Sequence, residues 1–232
     1  MENWREIVGV PELRCLEDLR PVLRDRECSC SGPAYSMYRD LAASPDDRVW
    51  MASLAIRFDI TCIPPAIVCG EHVKTKGHYH PKNSAGTGYP EIYQVFGGKA
   101  HYLLQARDLS ETILVEATAG DTVVVPPGFG HVTINPGGSE LVMANLVSTE
   151  FSSEYDFYEA HRGAAYYELS DGTLEKNPEY PPVPEPVRVR AAVFLPTSPF
   201  RGPIYDLVKE RDPRLGCLNH PERFGEFFTR AG

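Results

Sequence analysis

The sequence has no excess of basic residues. Lys and Arg number 23 against 32 Asp and Glu in 232 residues, which gives a formal net charge of -9. A protein that follows nucleic-acid phosphates needs a broad basic face. The charge balance therefore argues against a nucleic-acid partner, although a small anion can still bind through backbone amides and a few side chains.

Long apolar runs are also missing. No stretch approaches the roughly 20 apolar residues of a membrane span, and residues 1–6 carry charge where a signal peptide needs an apolar run. We therefore expect a cytoplasmic protein that does not contact a membrane.

Cysteine is sparse. The six cysteines, at positions 15, 28, 30, 62, 69 and 217, form no C-x-x-C pair of the zinc-knuckle kind and are few for a disulfide scaffold of this length. We expect six reduced thiols in a reducing compartment, with only weak metal chelation open to Cys28 and Cys30.

The middle of the chain is rich in short β-branched and aromatic runs that turn residues separate. These runs cover residues 49–60, 67–73, 91–96, 100–105, 113–116, 122–125, 132–134 and 141–147. Runs of this length and spacing, with no helical pattern between them, predict an antiparallel sandwich or barrel. The barrel core is expected to span residues 49–150.

The two flanks of this core have a different character. Residues 1–48 mix short helical patterns, such as residues 12–23, with proline and glycine, and are interpreted as an N-terminal arm. Residues 151–232 are interpreted as a C-terminal extension packed on the barrel. Within it we predict a proline-rich extended strap over 178–186, an edge strand over 187–194 and a short helix over 204–210.

Two histidines in the segment 75–80 (TKGHYH) are the first candidates for chemistry. Residues i and i+2 of a strand point to the same face, so His78 and His80 can both aim into a barrel. The same alternation, counted from Thr75, predicts that Lys76 faces solvent. An isolated H-x-H pair is weak support for a metal site, because surface histidines often occur at this spacing by chance.

A second segment, residues 120–135, places an apolar strand, a Pro-Gly turn and His131 in sequence. It resembles the cupin pattern of glycine, five residues, P-x-G, two residues, histidine, three residues and asparagine. The corresponding glutamate of the first cupin motif is Glu91, with Gly98 seven positions later. This resemblance implies an all-β cupin fold, a double-stranded β-helix or jelly-roll barrel with short N- and C-terminal extensions.

The resemblance also groups His78, His80, Glu91 and His131 as one ligand set. Taken singly, each is more often a satisfied or solvated residue, but three imidazoles and one carboxylate together can bind one divalent ion of iron, manganese, nickel, cobalt or zinc. Ten residues, 81–90, separate His80 from Glu91, whereas common cupins have three or four. This insertion is either a substrate lid or a passive surface loop.

Within the cupins, the sequence is similar to the archaeal-type glucose-6-phosphate isomerases, which some bacteria also possess. The similarity lies in residues 75–80 (TKGHYH), 91–93 (EIY), 102–105 (YLLQ) and 124–127 (VVPP), with Thr133 and Asn135 after His131. It implies a sugar phosphate substrate bound beside the metal, and a role in glycolysis and gluconeogenesis. Exposed barrel edges lead us to expect a homodimer formed by strand pairing. The family's phosphate and sugar contacts map onto Tyr35, Thr61, Thr75, Gly77, Tyr93, Tyr155 and Tyr158.

The reaction that this similarity implies moves a proton between C1 and C2 of an open-chain sugar. Glu91 is the candidate base, and the hydroxyl of Tyr93, on the same strand face, can reach the ligand. A hydride shift is the competing route. Two other functions remain open, a metal-dependent dioxygenase of the acireductone type and a sugar-binding cupin without catalysis.

Overall fold

The computed structural model describes residues 4–6, 9–25 and 27–229, which form two β-sheets packed around one apolar core. The six-stranded sheet has the order β1 (Glu12–Cys15), β2 (Pro33–Tyr38), β3 (Ile56–Ile63), β11 (Leu141–Ser148), β6 (Glu91–Gly97) and β9 (Thr122–Val125). The four-stranded sheet has the order β10 (Phe129–Ile134), β7 (Lys99–Ala106), β8 (Thr112–Thr118) and β14 (Val187–Arg190).

Two small hairpins and five short helices complete the fold. The hairpins pair β4 (Ile67–Val68) with β5 (Glu71–His72), and β12 (Tyr166–Glu168) with β13 (Leu174–Lys176). The helices are α1 (Leu16–Leu19), α2 (Pro45–Ser53), α3 (Asp156–Ala160), α4 (Ala191–Phe194) and α5 (Ile204–Lys209). Short 3-10 helices lie at Trp4–Glu6, Arg20–Val22, Pro213–Leu218, Pro221–Arg223 and Gly225–Phe228.

The predicted all-β cupin barrel is confirmed. The predicted runs from residue 91 to residue 147 coincide with β6 to β11, and their pairs are antiparallel. All eight residues of β11 are buried. This central strand is therefore buried on both faces.

The start of the predicted barrel differs from the observed one. Residues 49–53 were expected to begin a strand but lie in α2. The Ser44 hydroxyl caps this helix by accepting a hydrogen bond from the Asp47 amide, and Pro45 occupies the first turn. These start signals decide the local structure against the β-branched Val49.

The N-terminal arm supplies two strands of the larger sheet. β1 pairs with β2, and β2 pairs with β3, so the sheet extends well before residue 49. The pairing over Glu12–Cys15 also replaces the first third of the helical pattern expected over residues 12–23. Only α1 and the 3-10 turn that follows it are helical there.

The C-terminal extension contacts the barrel through hydrogen bonds and aromatic packing. The Gln94 side chain accepts a hydrogen bond from the Ile204 amide at 3.0 Å, and the Tyr205 ring packs edge-on against Phe58 at 4.9 Å. The predicted edge strand after the proline strap is present as β14, which runs parallel to β8, but its last part is α4. Helix α5 matches its prediction closely.

The cysteines depart from expectation. The structure joins Cys28 and Cys69 as a disulfide, so the prediction of six reduced thiols is wrong for this pair. The two residues are 41 positions apart, and a contact over that separation leaves no local pattern in the sequence.

Among the described residues, no helix is long and apolar enough to cross a membrane.

Candidate metal and substrate site

The four predicted ligand residues meet inside the barrel. His78 and His131 are paired through their backbones, with N–O distances of 3.2 and 3.0 Å, and Glu91 begins β6. His80 lies two residues after His78 and points to the same interior, as strand alternation requires. One ligand atom from each of the four residues lies within 4.8 Å of all the others.

The donor atoms face one another at short range. The Nε2 atoms of His78 and His80 are 3.1 Å apart, and Glu91 Oε2 lies 3.4 Å from His80 Nε2 and 3.3 Å from His131 Nε2. At this distance one neutral imidazole can donate a hydrogen bond to the other, or both Nε2 lone pairs can point at one cation between them.

The ring of His80 is held by the loop before β6. Its Nδ1 lies 2.9 Å from the backbone carbonyl oxygen of Tyr89, which can only accept a hydrogen bond. Nδ1 therefore carries the proton and Nε2 presents its lone pair to the site. The Tyr89 ring stacks on Phe151 at 4.7 Å, and Phe151 in turn contacts the His80 ring at 4.4 Å.

The site has the chemistry of a metal centre. Glu91 Oε2 and His131 Nδ1 are buried and have no hydrogen-bond partner within the described part of the chain. A buried carboxylate oxygen without a donor is costly, and a divalent ion beside it would supply the missing partner. The donor set of three imidazoles and one carboxylate thus fits a metal ion.

The pKa values favour the metal-binding protonation states. Burial, together with the neighbouring His131 and His80, holds the pKa of His78 well below 6.5, and burial also lowers the pKa of His131 in spite of Glu91. Burial alone would raise the pKa of Glu91, but the nearby imidazoles of His131 and His80 bring it well below 4.5. At neutral pH these two imidazoles are neutral and the carboxylate is charged.

A cavity of about 280 Å³ opens beside these residues. Six of the seven residues predicted to bind substrate line it: Tyr35, Thr61, Thr75, Gly77, Tyr93 and Tyr155. They come from β2, β3, the segment before His78, β6 and the segment before α3, so the fold brings together residues that are distant in sequence.

Tyr158 does not reach this cavity. Its side chain is fully buried and packs on Tyr79, with ring centroids 5.4 Å apart. Tyr158 also sits against Gly77, where an added Cβ would come within 2.9 Å of the Tyr158 ring and 2.5 Å of Val132. Gly77, with φ of +79°, is therefore required by close packing as well as by its place at the cavity.

Lys76 faces the cavity, so the prediction that it points to solvent is wrong. Its ammonium group pairs with Glu159 at 2.5 Å and lies 5.2 Å above the Tyr155 ring. Residues 75–77 belong to no strand, so residue-by-residue alternation does not apply there.

Three arginines at the cavity were not predicted. Arg39 and Arg57 share the buried carboxylate of Asp59, with N–O distances of 2.8 Å. Arg14, from β1, also lines the cavity, and its Nε is buried without a hydrogen-bond partner among the described residues. Only the pairing of β1 with β2 carries Arg14 to this place, so no local motif could have identified it.

Tyr93 contacts the metal-binding group directly. Its hydroxyl lies 3.1 Å from His131 Nε2. Burial and the charge of Glu91 raise the pKa of Tyr93 well above 10, so the phenol stays protonated and can donate a hydrogen bond into the site.

Comparison with known proteins agrees with this picture. A family model described as glucose-6-phosphate isomerase matches residues 14–185. The chain is 33% identical over 100 residues to glucose-6-phosphate isomerase of Thermococcus litoralis, which covers 43% of this chain and 50% of that protein. It is 30% identical over 131 residues to the same enzyme of Pyrococcus abyssi, covering 56% and 64%.

The third relative is a putative glucose-6-phosphate isomerase 1 of Rhizobium meliloti, 30% identical over 115 residues and covering 50% of this chain and 51% of that one. The chain thus spans between about half and two thirds of the length of these relatives.

Among solved structures, oxalate decarboxylase of Lactobacillus farciminis aligns with 52% of this chain and 30% of its own, at 21% identity and a TM-score of 0.38. This TM-score is too low to support an inference. Because the family match extends over most of the chain, the protein belongs to the glucose-6-phosphate isomerase family.

Proposed function

We propose that the protein is a metal-dependent aldose–ketose isomerase that interconverts glucose 6-phosphate and fructose 6-phosphate. The observation that carries this proposal is one cavity with two kinds of recognition group. Metal donors line one part of it, and Lys76, Arg14 and hydroxyl groups line another. A sugar phosphate needs both, because it has two oxygens at the reacting carbons and a dianion at the far end.

His78, His80, Glu91 and His131 would hold one divalent ion, and iron, manganese, nickel, cobalt and zinc all accept this donor set. When bound, such an ion polarises the oxygens on C1 and C2 and stabilises negative charge that develops there.

The phosphate is assigned to the part of the cavity that Thr75 and Lys76 line. The Thr75 hydroxyl oxygen accepts a hydrogen bond from the Thr133 amide at 2.9 Å, which leaves its hydrogen free to donate to a phosphate oxygen. Lys76 and Arg14 supply positive charge, and Tyr35, whose hydroxyl accepts from the Lys76 amide at 3.3 Å, borders the same region. Thr61 adds a second hydroxyl.

Glu91 is assigned the proton transfer. Its carboxylate would take the proton from C2 of open-chain glucose 6-phosphate, leaving an enediolate, and would return it to C1, while the hydroxyl proton passes from O2 to O1 to give fructose 6-phosphate. The low pKa of Glu91 keeps it ionised and ready to accept, but also reduces the driving force for abstraction. A hydride shift from C2 to C1 needs no base, and solvent exchange separates the two routes.

Tyr93 is assigned a supporting role in the same step. Its protonated phenol would donate a hydrogen bond to a substrate oxygen, because its pKa is raised well above 10 and it lies beside His131. Tyr155, whose ring lies 5.5 Å from that of His78, would cover the sugar.

A coupled assay tests the proposal. The protein is supplied separately with each of the five metals, and conversion of fructose 6-phosphate to glucose 6-phosphate is followed beside an oxygen-consumption trace. Sugar isomerisation without oxygen uptake supports the proposal. Oxygen uptake on a reductone substrate would instead support the dioxygenase function, and sugar binding without turnover would support a binding cupin.

Further predictions belong to the same proposal. We expect the enzyme to act in the cytoplasm, in glycolysis and gluconeogenesis. We also expect a homodimer that has no nucleic-acid or membrane partner. Among the described strands, none pairs with the outer edge of β1, where Leu13 is 52% exposed, and this edge gives a second copy a surface for strand pairing. Light scattering at several protein concentrations tests the dimer.

A further inference from the structure

Three cysteine sulfurs meet at a place separate from the cavity. Cys28 and Cys30 lie in the loop before β2, and Cys69 lies in the turn between β4 and β5. Their Sγ atoms are all within 4.8 Å of one another, and each residue is half-buried. None of them lines the cavity described above.

A disulfide accounts for only two of these sulfurs. With Cys28 joined to Cys69, the Cys30 thiol remains 3.8 Å from Cys69 Sγ. Two thiolates bound to one tetrahedral zinc ion through bonds of about 2.3 Å lie roughly 3.8 Å apart. The position of Cys30 therefore matches that of a thiolate that shares a metal ion with Cys69.

Two of the other three cysteines have different surroundings. Cys62 and Cys217 are buried alone, and burial raises the pKa of Cys62 to about 11 and that of Cys217 to about 12. These thiols stay protonated at neutral pH and are poor metal ligands. The cluster of Cys28, Cys30 and Cys69 is thus a distinct chemical environment.

The two segments that carry the cluster are already tied together by another contact. The Arg24 amide donates to the Glu71 carboxylate at 2.7 Å, and Glu71 also pairs with Lys74. Because this contact holds the loop near the hairpin, less conformational entropy is lost when three sulfurs converge on one ion.

We propose that in the reduced protein the thiolates of Cys28, Cys30 and Cys69 bind one zinc ion, with water in the fourth position. Binding releases the three thiol protons to solvent. The Cys28–Cys69 disulfide is the oxidised alternative without metal, formed when these two thiols give two electrons and two protons to a disulfide oxidant. Soft thiolates select zinc here, whereas the barrel site offers nitrogen and oxygen donors.

The site has a structural role. It joins the segment that leads into β2 to the β4–β5 hairpin, and β2 carries Tyr35 into the cavity. Zinc removal is therefore expected to loosen the start of β2 while the barrel ligands stay in place.

Cobalt substitution tests this proposal, because thiolate-to-cobalt charge-transfer absorption reports sulfur ligands and the barrel site contains none. The full chain, purified under reductant and stripped of metal, is titrated with Co²⁺. We expect the charge-transfer band in the parent and in His131→Ala, its loss in Cys30→Ser, and its retention in the control Cys15→Ser. Zinc should displace the cobalt and abolish the band.

Cysteine alkylation followed by mass spectrometry provides a second measurement that needs no variant. In the folded, reduced and zinc-loaded protein, zinc should protect Cys28, Cys30 and Cys69 from alkylation, and all three should be alkylated once the zinc is chelated. The proposal is overturned if no sulfur-to-cobalt band forms while all three thiols are free, or if Cys28 and Cys69 stay linked in protein kept under reductant.

Discussion

The Nδ1 atom of His80 lies 2.9 Å from the carbonyl oxygen of Tyr89, so a residue of the inserted loop sets the tautomer of a metal ligand. Asn83, at the start of that loop, donates through its side-chain nitrogen to the Asn219 carbonyl at 3.1 Å and to Glu222 at 3.0 Å. The C-terminal region, which lies beyond the family match, is thereby connected to the metal site.

Loosening this loop should weaken metal binding without removing a ligand. Asn83→Ala loses the contacts to Asn219 and Glu222 and the two amide hydrogen bonds, from Ala85 and Thr87, that close the loop. We expect metal affinity to fall by about 10-fold, at the low end of the effect of residues that orient ligands. Competition with a chromogenic chelator measures this, with the exposed Ser84→Ala as control. Equal affinities for the two variants would show that the loop is passive.

Removal of the Thr75 hydroxyl should weaken substrate binding. Thr75→Val loses the donor assigned to the phosphate, and KM for fructose 6-phosphate should rise by an amount equivalent to about 1.5–3 kcal/mol. Thr75→Ser keeps the hydroxyl that accepts from the Thr133 amide and should restore most of the affinity. The exposed Thr118→Val is the control. If the parent turns over unphosphorylated fructose as well as the phosphate, the threonine has only a structural role.

The metal-free protein should lose stability as the pH falls below about 6.5. His78 and His131 have lowered pKa values in the folded state, so in this range the unfolded chain binds more protons than the folded chain. Each histidine then contributes a slope of up to about 1.4 kcal/mol per pH unit. The lowered pKa of Glu91 acts in the same direction below about 4.5.

Urea unfolding of chelator-treated protein at pH 7.5, 6.5 and 5.5 measures this slope. We expect His78→Gln to reduce it and the half-exposed His220→Gln to leave it unchanged. An identical slope in all three proteins would mean that the site histidines do not control the pH dependence.

His131→Ala should remove the metal and the activity while the barrel still folds. The backbone of residue 131 keeps its two hydrogen bonds to residue 78, and the core of apolar strands is untouched. Metal analysis, circular dichroism and the isomerase assay check this, with His220→Ala as control. A full equivalent of barrel metal with normal turnover would contradict the ligand assignment.

The sequence predicts the ligand set because both cupin motifs are local patterns, in which strand period and turn residues fix where His78 and His131 point. Contacts between distant segments leave no such pattern. Arg14 reaches the cavity only through the pairing of β1 with β2, and Cys28 meets Cys69 only through the folded loop.

Two other differences have local causes. Lys76 faces the cavity because residues 75–77 belong to no strand, so the alternation assumed from the sequence does not hold there. Tyr155 and Tyr158 are only three positions apart, yet the first borders the cavity and the second is buried behind Gly77. The packing of α3, rather than residue type, separates these two tyrosines.

The most direct test of the central claim is proton exchange during turnover, followed by NMR in heavy water with metal-loaded protein and fructose 6-phosphate. We predict glucose 6-phosphate that carries deuterium at C2, because a proton held on the Glu91 carboxylate exchanges with solvent before it returns to carbon. We also expect Glu91→Gln to lose at least about 10²-fold in kcat but less in metal occupancy, whereas the half-exposed Glu116→Gln keeps both. Turnover without deuterium, with near-normal kcat in Glu91→Gln, would contradict the role of Glu91 as the base, and no isomerisation with any of the five metals would contradict the proposed function itself.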